Sequence, residues 1–196
     1  MLNTIAQMYI TTLPVILAGI LNMICVKQKW FKRIAKPLDR GVKLKDGKRI
    51  FGDNKTDLGI FTMIMCSIIT HIIWGLICGV WEYGQSINQL YSLNQNKITY
   101  NILVGFVMGT AYMLFELPNS FIKRRLEIPD GKTSTGIKGK LFLVIDQIDS
   151  LFGVALVLVI LSRITIGAYF NYIILGGATH LIFNWLLYKL KIRRNL

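Results

Sequence analysis

Five stretches of the chain stay apolar for close to the roughly 20 residues that a helix needs to cross a bilayer, and polar segments separate them. They cover about 3–26, 58–81, 98–117, 141–161 and 167–188. The pattern predicts an all-α integral membrane protein of five transmembrane helices, built as one membrane-embedded domain over 1–196. The first stretch carries no Lys or Arg and has neither a basic leader nor a small-residue cleavage site, so it reads as a retained helix, kinked at Pro14. In the polar segment 27–57, Trp30, Phe31 and Ile34 interleave basic residues and predict a short interfacial helix ending before Pro37. Asp46-Gly47 marks a tight turn, and Thr56 or Asp57 can cap the second span. Residues 82–97 read as a polar connection, Pro118 as a break or bend in the third helix, and 118–140 as a second polar loop.

Composition agrees: 53% hydrophobic residues and a mean hydropathy of +0.49 are too apolar for an ordinary soluble domain. The formal charge of +13 is distributed unevenly. Of 23 basic residues, 21 fall in 27–57, 118–140 and the tail after 188, against Lys97 and Arg163 elsewhere. The positive-inside rule therefore predicts cytosolic loops and C-terminus, with the N-terminus outside. Orientation and anionic headgroups explain this charge without nucleic acid, for which the chain has no motif. Cys25, Cys66 and Cys78 lack paired spacing and read as small core hydrophobes, and His71 and His180 as interhelical hydrogen-bonders. Gly75-x-x-x-Gly79 and Gly105-x-x-x-Gly109 lie at similar depth, fitting either close approach of the second and third helices or a homodimer. Gly131-Lys132-Thr133 looks like the end of a P-loop, but Leu126 stands where that motif starts with glycine.

The candidate chemistry sits where apolar helices should not hold it. Asp146 and Asp149 lie five and eight residues inside the fourth span, and an ionised Asp at mid-bilayer costs about 2.5–3.5 kcal/mol even on lenient scales. At 100° per residue they share a face with Ser150 and Gly153, which leave that face open, while Glu116, Ser120 and Lys123 share a face of the preceding helix. Carboxylates so placed suit a hard cation such as magnesium, and Lys123-Arg124-Arg125 suits phosphates. The polar site is thus expected at the cytosolic face.

Ser120-Phe-Ile-Lys-Arg-Arg125 followed by Asp146-Gln-Ile-Asp149 resembles the CDP-archaeol synthase family, relatives of the phosphatidate cytidylyltransferases. Pro37-Leu-Asp-Arg-Gly41, Asp46-Gly-Lys-Arg-Ile50 and Gly52-Asp-Asn-Lys-Thr56 resemble the same family's first loop. Where archaeal members have Gly-Asp-Leu, this chain has Phe115-Glu116-Leu117, and glutamate can still ligate a metal. The resemblance implies a CTP:lipid-phosphate cytidylyltransferase of the cell membrane, with magnesium on Glu116, Asp146 and Asp149. It implies Asp146, Asp149, Lys123 and Lys55 as the catalytic set, and Asp53, Lys55, Ser120, Lys123, Arg124 and Arg125 on the phosphates of CTP or lipid. Apolar spans do not encode which lipid phosphate is used. A transporter for an anionic substrate would instead want a midplane site in repeated halves, and a lipid-binding scaffold has no use for buried acids.

Overall fold

The computed structural model describes residues 2–130 and 136–189; Gly131-Lys132-Thr133 and the tail residues Lys191, Arg193 and Arg194 lie outside the described residues. The chain forms helices α1 (Leu2–Val26), α2 (Lys29–Ile34), α3 (Asp57–Val80), α4 (Glu82–Ile87), α5 (Ile98–Arg125), α6 (Gly136–Ser162) and α7 (Ile166–Lys189). Five of them, α1, α3, α5, α6 and α7, are long and apolar enough to cross a membrane, as the hydropathy pattern predicts. The interfacial α2 stops at Ile34, ahead of Pro37, and Thr56 caps α3 by accepting from the Gly59 N–H at 3.0 Å.

α5 is the axle of the bundle, packing on α3 along one side and α6 along another, while α1 leans on α3 and α7 on α6. Missing side chains let it do so. A Cβ on Gly105 or Gly109 would stand 2.5 Å from Ile68 Cα or 2.9 Å from Ile64 Cα, so α5 meets α3 nearly backbone to backbone. The Gly105-x-x-x-Gly109 pair is therefore spent inside the chain. Gly153 works likewise between α6 and α5, where a Cβ would come within 2.6 Å of the Ala111 carbonyl. The face expected to stand open at Gly153 is thus closed by α5. Met63, Val104, Met108 and Leu158 fill the core between these contacts.

Three boundaries differ from the sequence expectation. α5 does not break at Pro118 but runs unbroken to Arg125; its 28 residues span about 42 Å, beyond the roughly 30 Å of a hydrocarbon core. Its last turns therefore carry Asn119, Lys123 and Arg124 out to the rim. α6 similarly starts five residues early, at Gly136. The connection at 82–97 is not plain loop, for α4 and a 3-10 turn at Gln89–Tyr91 fold back onto the bundle. Leu90 is buried there, the Gln89 N–H donates to Thr11 at 3.1 Å, and Tyr172 bonds Gln89. Of the two histidines, His180 bonds across helices to the Gln147 carbonyl at 3.0 Å, whereas His71 turns back to the Ser67 carbonyl of its own helix at 2.7 Å.

Candidate functional site

Two carboxylates meet on one amide at the rim where α5 and α6 emerge. Asn119 Nδ2 donates to Asp146 at 2.7 Å and to Asp149 at 2.6 Å. Spacing explains the convergence: Asp146 and Asp149 are one turn apart on α6, and Asn119 lies a turn from both Glu116 and Lys123 on the facing side of α5. Lys123 adds an ammonium that contacts both Asp146 oxygens, at 2.5 and 2.6 Å, and rides over the Phe142 ring. Asp149 accepts a second bond from the Ser150 N–H at 2.7 Å.

Glu116, three residues before Asn119, takes another partner, the Lys55 ammonium of the first loop. Among the described residues no three His, Cys, Asp or Glu side chains stand together in a way that could hold a metal ion. The acids are arranged instead as a pair, Asp146 with Asp149, and a separate ion pair, Glu116 with Lys55. Ser120 is half-buried, one turn beyond Glu116 on α5.

The first loop reaches α5 because it is folded around a carboxylate of its own. Its neck is closed by Leu38 N–H to Lys55 at 2.7 Å and Asp57 N–H to Lys36 at 3.1 Å. Inside, the Asp39 carboxylate accepts from the backbone of Gly41, Phe51 and Gly52 and from two nitrogens of Arg49. Burial alone would push the Asp39 carboxyl up, but Arg49 and the three backbone N–H groups prevail and hold it well below the usual carboxylate range. The same pair raises Arg49 above the ordinary guanidinium value.

The rest of the basic run fastens this loop to the end of α5. Arg124 pairs with Asp130, which accepts from the Asp53 N–H at 3.0 Å. Gly52, at φ +96, is left without a Cβ that would strike the Asp130 carboxylate. Arg125 bonds the Arg49 carbonyl and pairs with Asp46, while Lys48 donates to the Arg125 carbonyl at 2.8 Å. Of the three expected phosphate grips, then, only Lys123 faces the aspartate pair. Asp53 is exposed and paired with Arg49 at 2.9 Å.

Two adjoining cavities open at this rim. One of about 600 Å³ is lined by Asp53, Asn54, Lys55 and Glu116, with Phe31 and Met23 on its apolar side. A second, of about 220 Å³, reaches Asp146 and His180 and shares Gly19, Met23 and Tyr112 with the first. Sequence reasoning missed Asp39, Asn119, Asp130 and Tyr112. Asn119 had a signal, an amide on an apolar helix one turn from both Glu116 and Lys123.

Known proteins resemble this chain in fold and in sequence. A solved structure of an intramembrane enzyme for archaeal membrane lipid biosynthesis superposes with a TM-score of 0.63 at 21% identity, over 91% of this chain and 90% of that one. The CDP-archaeol synthase of Saccharolobus solfataricus is 31% identical over 165 residues, 83% of this chain and 82% of its own. That of Sulfurisphaera tokodaii is 27% identical over the same shares. The sequence model of the CarS-like family, CDP-archaeol synthase, matches residues 2–195, and the chain belongs to that family.

Proposed function

We propose that this protein transfers the cytidylyl group of CTP to a membrane lipid phosphate at the cytosolic end of the bundle, using magnesium held by Asp146 and Asp149. The observation that carries this reading is the meeting of two carboxylates of the apolar helix α6, the exposed Asp146 and the half-buried Asp149, on Asn119, beside Lys123 and next to cavities of about 600 and 220 Å³. Magnesium ordinarily takes only one or two carboxylates, its remaining positions going to phosphates and water, so a pair fits it where a cage of three is absent. When bound, that ion would neutralise phosphate charge and ease departure of pyrophosphate.

In the reaction a lipid phosphate oxygen forms a bond to the α-phosphorus of CTP as the bond to the β-phosphate oxygen breaks. Pyrophosphate carries that electron pair away. Nucleophile and nucleotide are both polyanions, and one unit-charge pair at 4 Å repels by about 4 kcal/mol at an effective dielectric of 20. Offsetting this repulsion is the main task of the site. Lys123 and Lys55, now resting on Asp146 and Glu116, supply ammonium groups that can turn to phosphate oxygens without being desolvated afresh. Glu116 keeps Lys55 at the cavity wall until then. Asp53, Arg124 and Arg125 act by fixing the first loop, so that Lys55 is presented to the cavity.

The test uses purified protein in detergent with magnesium, labelled CTP and separate isoprenoid-ether, diacyl and polyprenyl phosphates. Formation of a CDP-lipid from one of them is expected; label left in CTP with all three overturns the reading. The orientation is tested in a variant without native cysteines, since Lys45 and Gln95 are both exposed at opposite ends of α3. An impermeant thiol reagent on intact cells should label Gln95→Cys and spare Lys45→Cys, and the reverse pattern would place the site outside.

A further inference from the structure

Asn119 is buried, with 7% of its surface exposed, yet only half of its amide is used. Nδ2 serves both aspartates, while Oδ1 is buried with no hydrogen-bond partner among the described residues. A buried acceptor left unsatisfied is costly. An aliphatic residue would avoid that cost if the position only filled space. The two ends of an amide are nearly the same size, so a half-turn of the terminal bond exchanges donor for acceptor. With no cation between the two carboxylates the donor faces them, because an oxygen turned inward would meet two anions. With a cation between the aspartates the preference reverses, and Oδ1 becomes the stabilised end.

We infer that Asn119 is the third protein ligand of the cation on Asp146 and Asp149, with its amide turning Oδ1 inward when the cation binds and Nδ2 inward when it leaves. This rests on the proposed magnesium site and extends it. It answers a shortage in that site, because Glu116 is engaged by Lys55 and only two acids converge. It also gives the empty state a resting form: the Asn119 donor and the Lys123 ammonium together hold the pair of carboxylates at their working separation. Such preorganisation removes the cost of assembling the ligands at each turnover.

The experiment titrates manganese, as a paramagnetic probe, into purified full-length protein in detergent without nucleotide, reading bound ion by electron spin resonance and folding by thermal melting. Asp149→Asn serves as the reference for a lost ligand. Asn119→Leu, matched in size but without donor or acceptor, should bind manganese at least about tenfold more weakly, the smallest loss that even indirect partners of a metal show. Asn119→Asp loses the donor and gains an anionic oxygen. It should melt lower than the parent without metal and regain the difference when manganese is added, with affinity at or above the parent's. A merely structural tie between α5 and α6 predicts otherwise: Asn119→Asp would stay destabilised with metal present. That result, or parent-like manganese binding by Asn119→Leu, overturns the inference while leaving the aspartate site standing. If Asn119→Leu fails to fold, the metal response of Asn119→Asp decides alone. Failure of the parent protein to bind manganese, with Asp149→Asn indistinguishable from it, overturns both the metal reading and this inference.

Discussion

Two sets of carboxylates in this protein, Asp39 in the first loop and Asp146 with Asp149 in α6, differ in how they are satisfied. Asp39 sits in a polar loop, yet its side chain is wholly buried and receives five hydrogen bonds, three from backbone N–H groups and two from Arg49. Asp146 and Asp149 sit in an apolar helix and share the Asn119 amide nitrogen, with a long flexible lysine on Asp146 and the Ser150 N–H on Asp149. A carboxylate saturated by rigid donors has no capacity left for a ligand and does structural work. A pair that accepts three bonds on Asp146 and two on Asp149, beside an amide whose oxygen has no partner among the described residues, has acceptor capacity left. Satisfaction, more than burial, separates the scaffold from the site.

The largest effect that should follow is at the scaffold. Asp39→Ala leaves three backbone donors without their acceptor and Arg49 with Asp53 alone, and at about 1–3 kcal/mol for each buried donor left unsatisfied the cost is at least about 3 kcal/mol. The variant should lose that much stability of the first loop and, with Lys55 no longer presented, its turnover as well. Amide hydrogen exchange at Gly41, Phe51 and Gly52 measures the first part. Unchanged protection there would erase the distinction drawn above.

Asp149→Asn should behave in the opposite way. It keeps size and hydrogen bonding but removes the anion, so turnover should fall by about 100-fold or more, the scale on which loss of one group acting at the transition state is felt. Melting temperature should hold or rise, because the cost of an ionised side chain within a membrane helix disappears. Turnover near the parent rate would remove Asp149 from the site.

How much of this could be read from the chain follows from where the information is local. The five spans were legible because each is a continuous apolar run, and Asp146 and Asp149 because acids inside such a run stand out. Of the break or bend expected at Pro118, the break did not occur, because the lost N–H is a single bond in a helix held on two sides by α3 and α6. α4 was missed since Glu-Tyr-Gly-Gln-Ser-Ile is too short to show a helical period. Lys123-Arg124-Arg125 looked like one phosphate grip because sequence shows adjacency. Successive helical residues turn by 100°, which sends Lys123 to Asp146, Arg124 to Asp130 and Arg125 to the first loop. Asp39 lies in a stretch that resembles the family's first loop, yet its role was not legible because four of its five hydrogen bonds come from residues 49–52.

A smaller effect is expected of Lys123→Ala. It removes one charge-assisted contact to phosphate, worth about 1.5 kcal/mol and so about tenfold in KM for CTP or for the lipid phosphate. The rate at saturating substrate should change far less than in Asp149→Asn. A fall in kcat with KM unchanged would instead make Lys123 a support for Asp146 alone.

The smallest effect is a dependence on acidity, and it bears on the scaffold only. The folded Asp39 carboxyl is held below its ordinary value of 3.8, so the folded loop binds fewer protons than the unfolded one at mildly acidic pH. Its contribution is therefore fully present above that ordinary value and declines as pH falls toward the lowered one. Linkage puts the loss at about 1 kcal/mol between pH 4.5 and pH 3. The parent's stability advantage over Asp39→Asn, whose amide has no such titration, should shrink by that amount across the interval. Paired melting curves in detergent at the two pH values measure it. An advantage that stayed constant or grew on acidification would mean that Arg49 and the backbone donors do not hold Asp39 as an anion, and the saturated half of the comparison would fail.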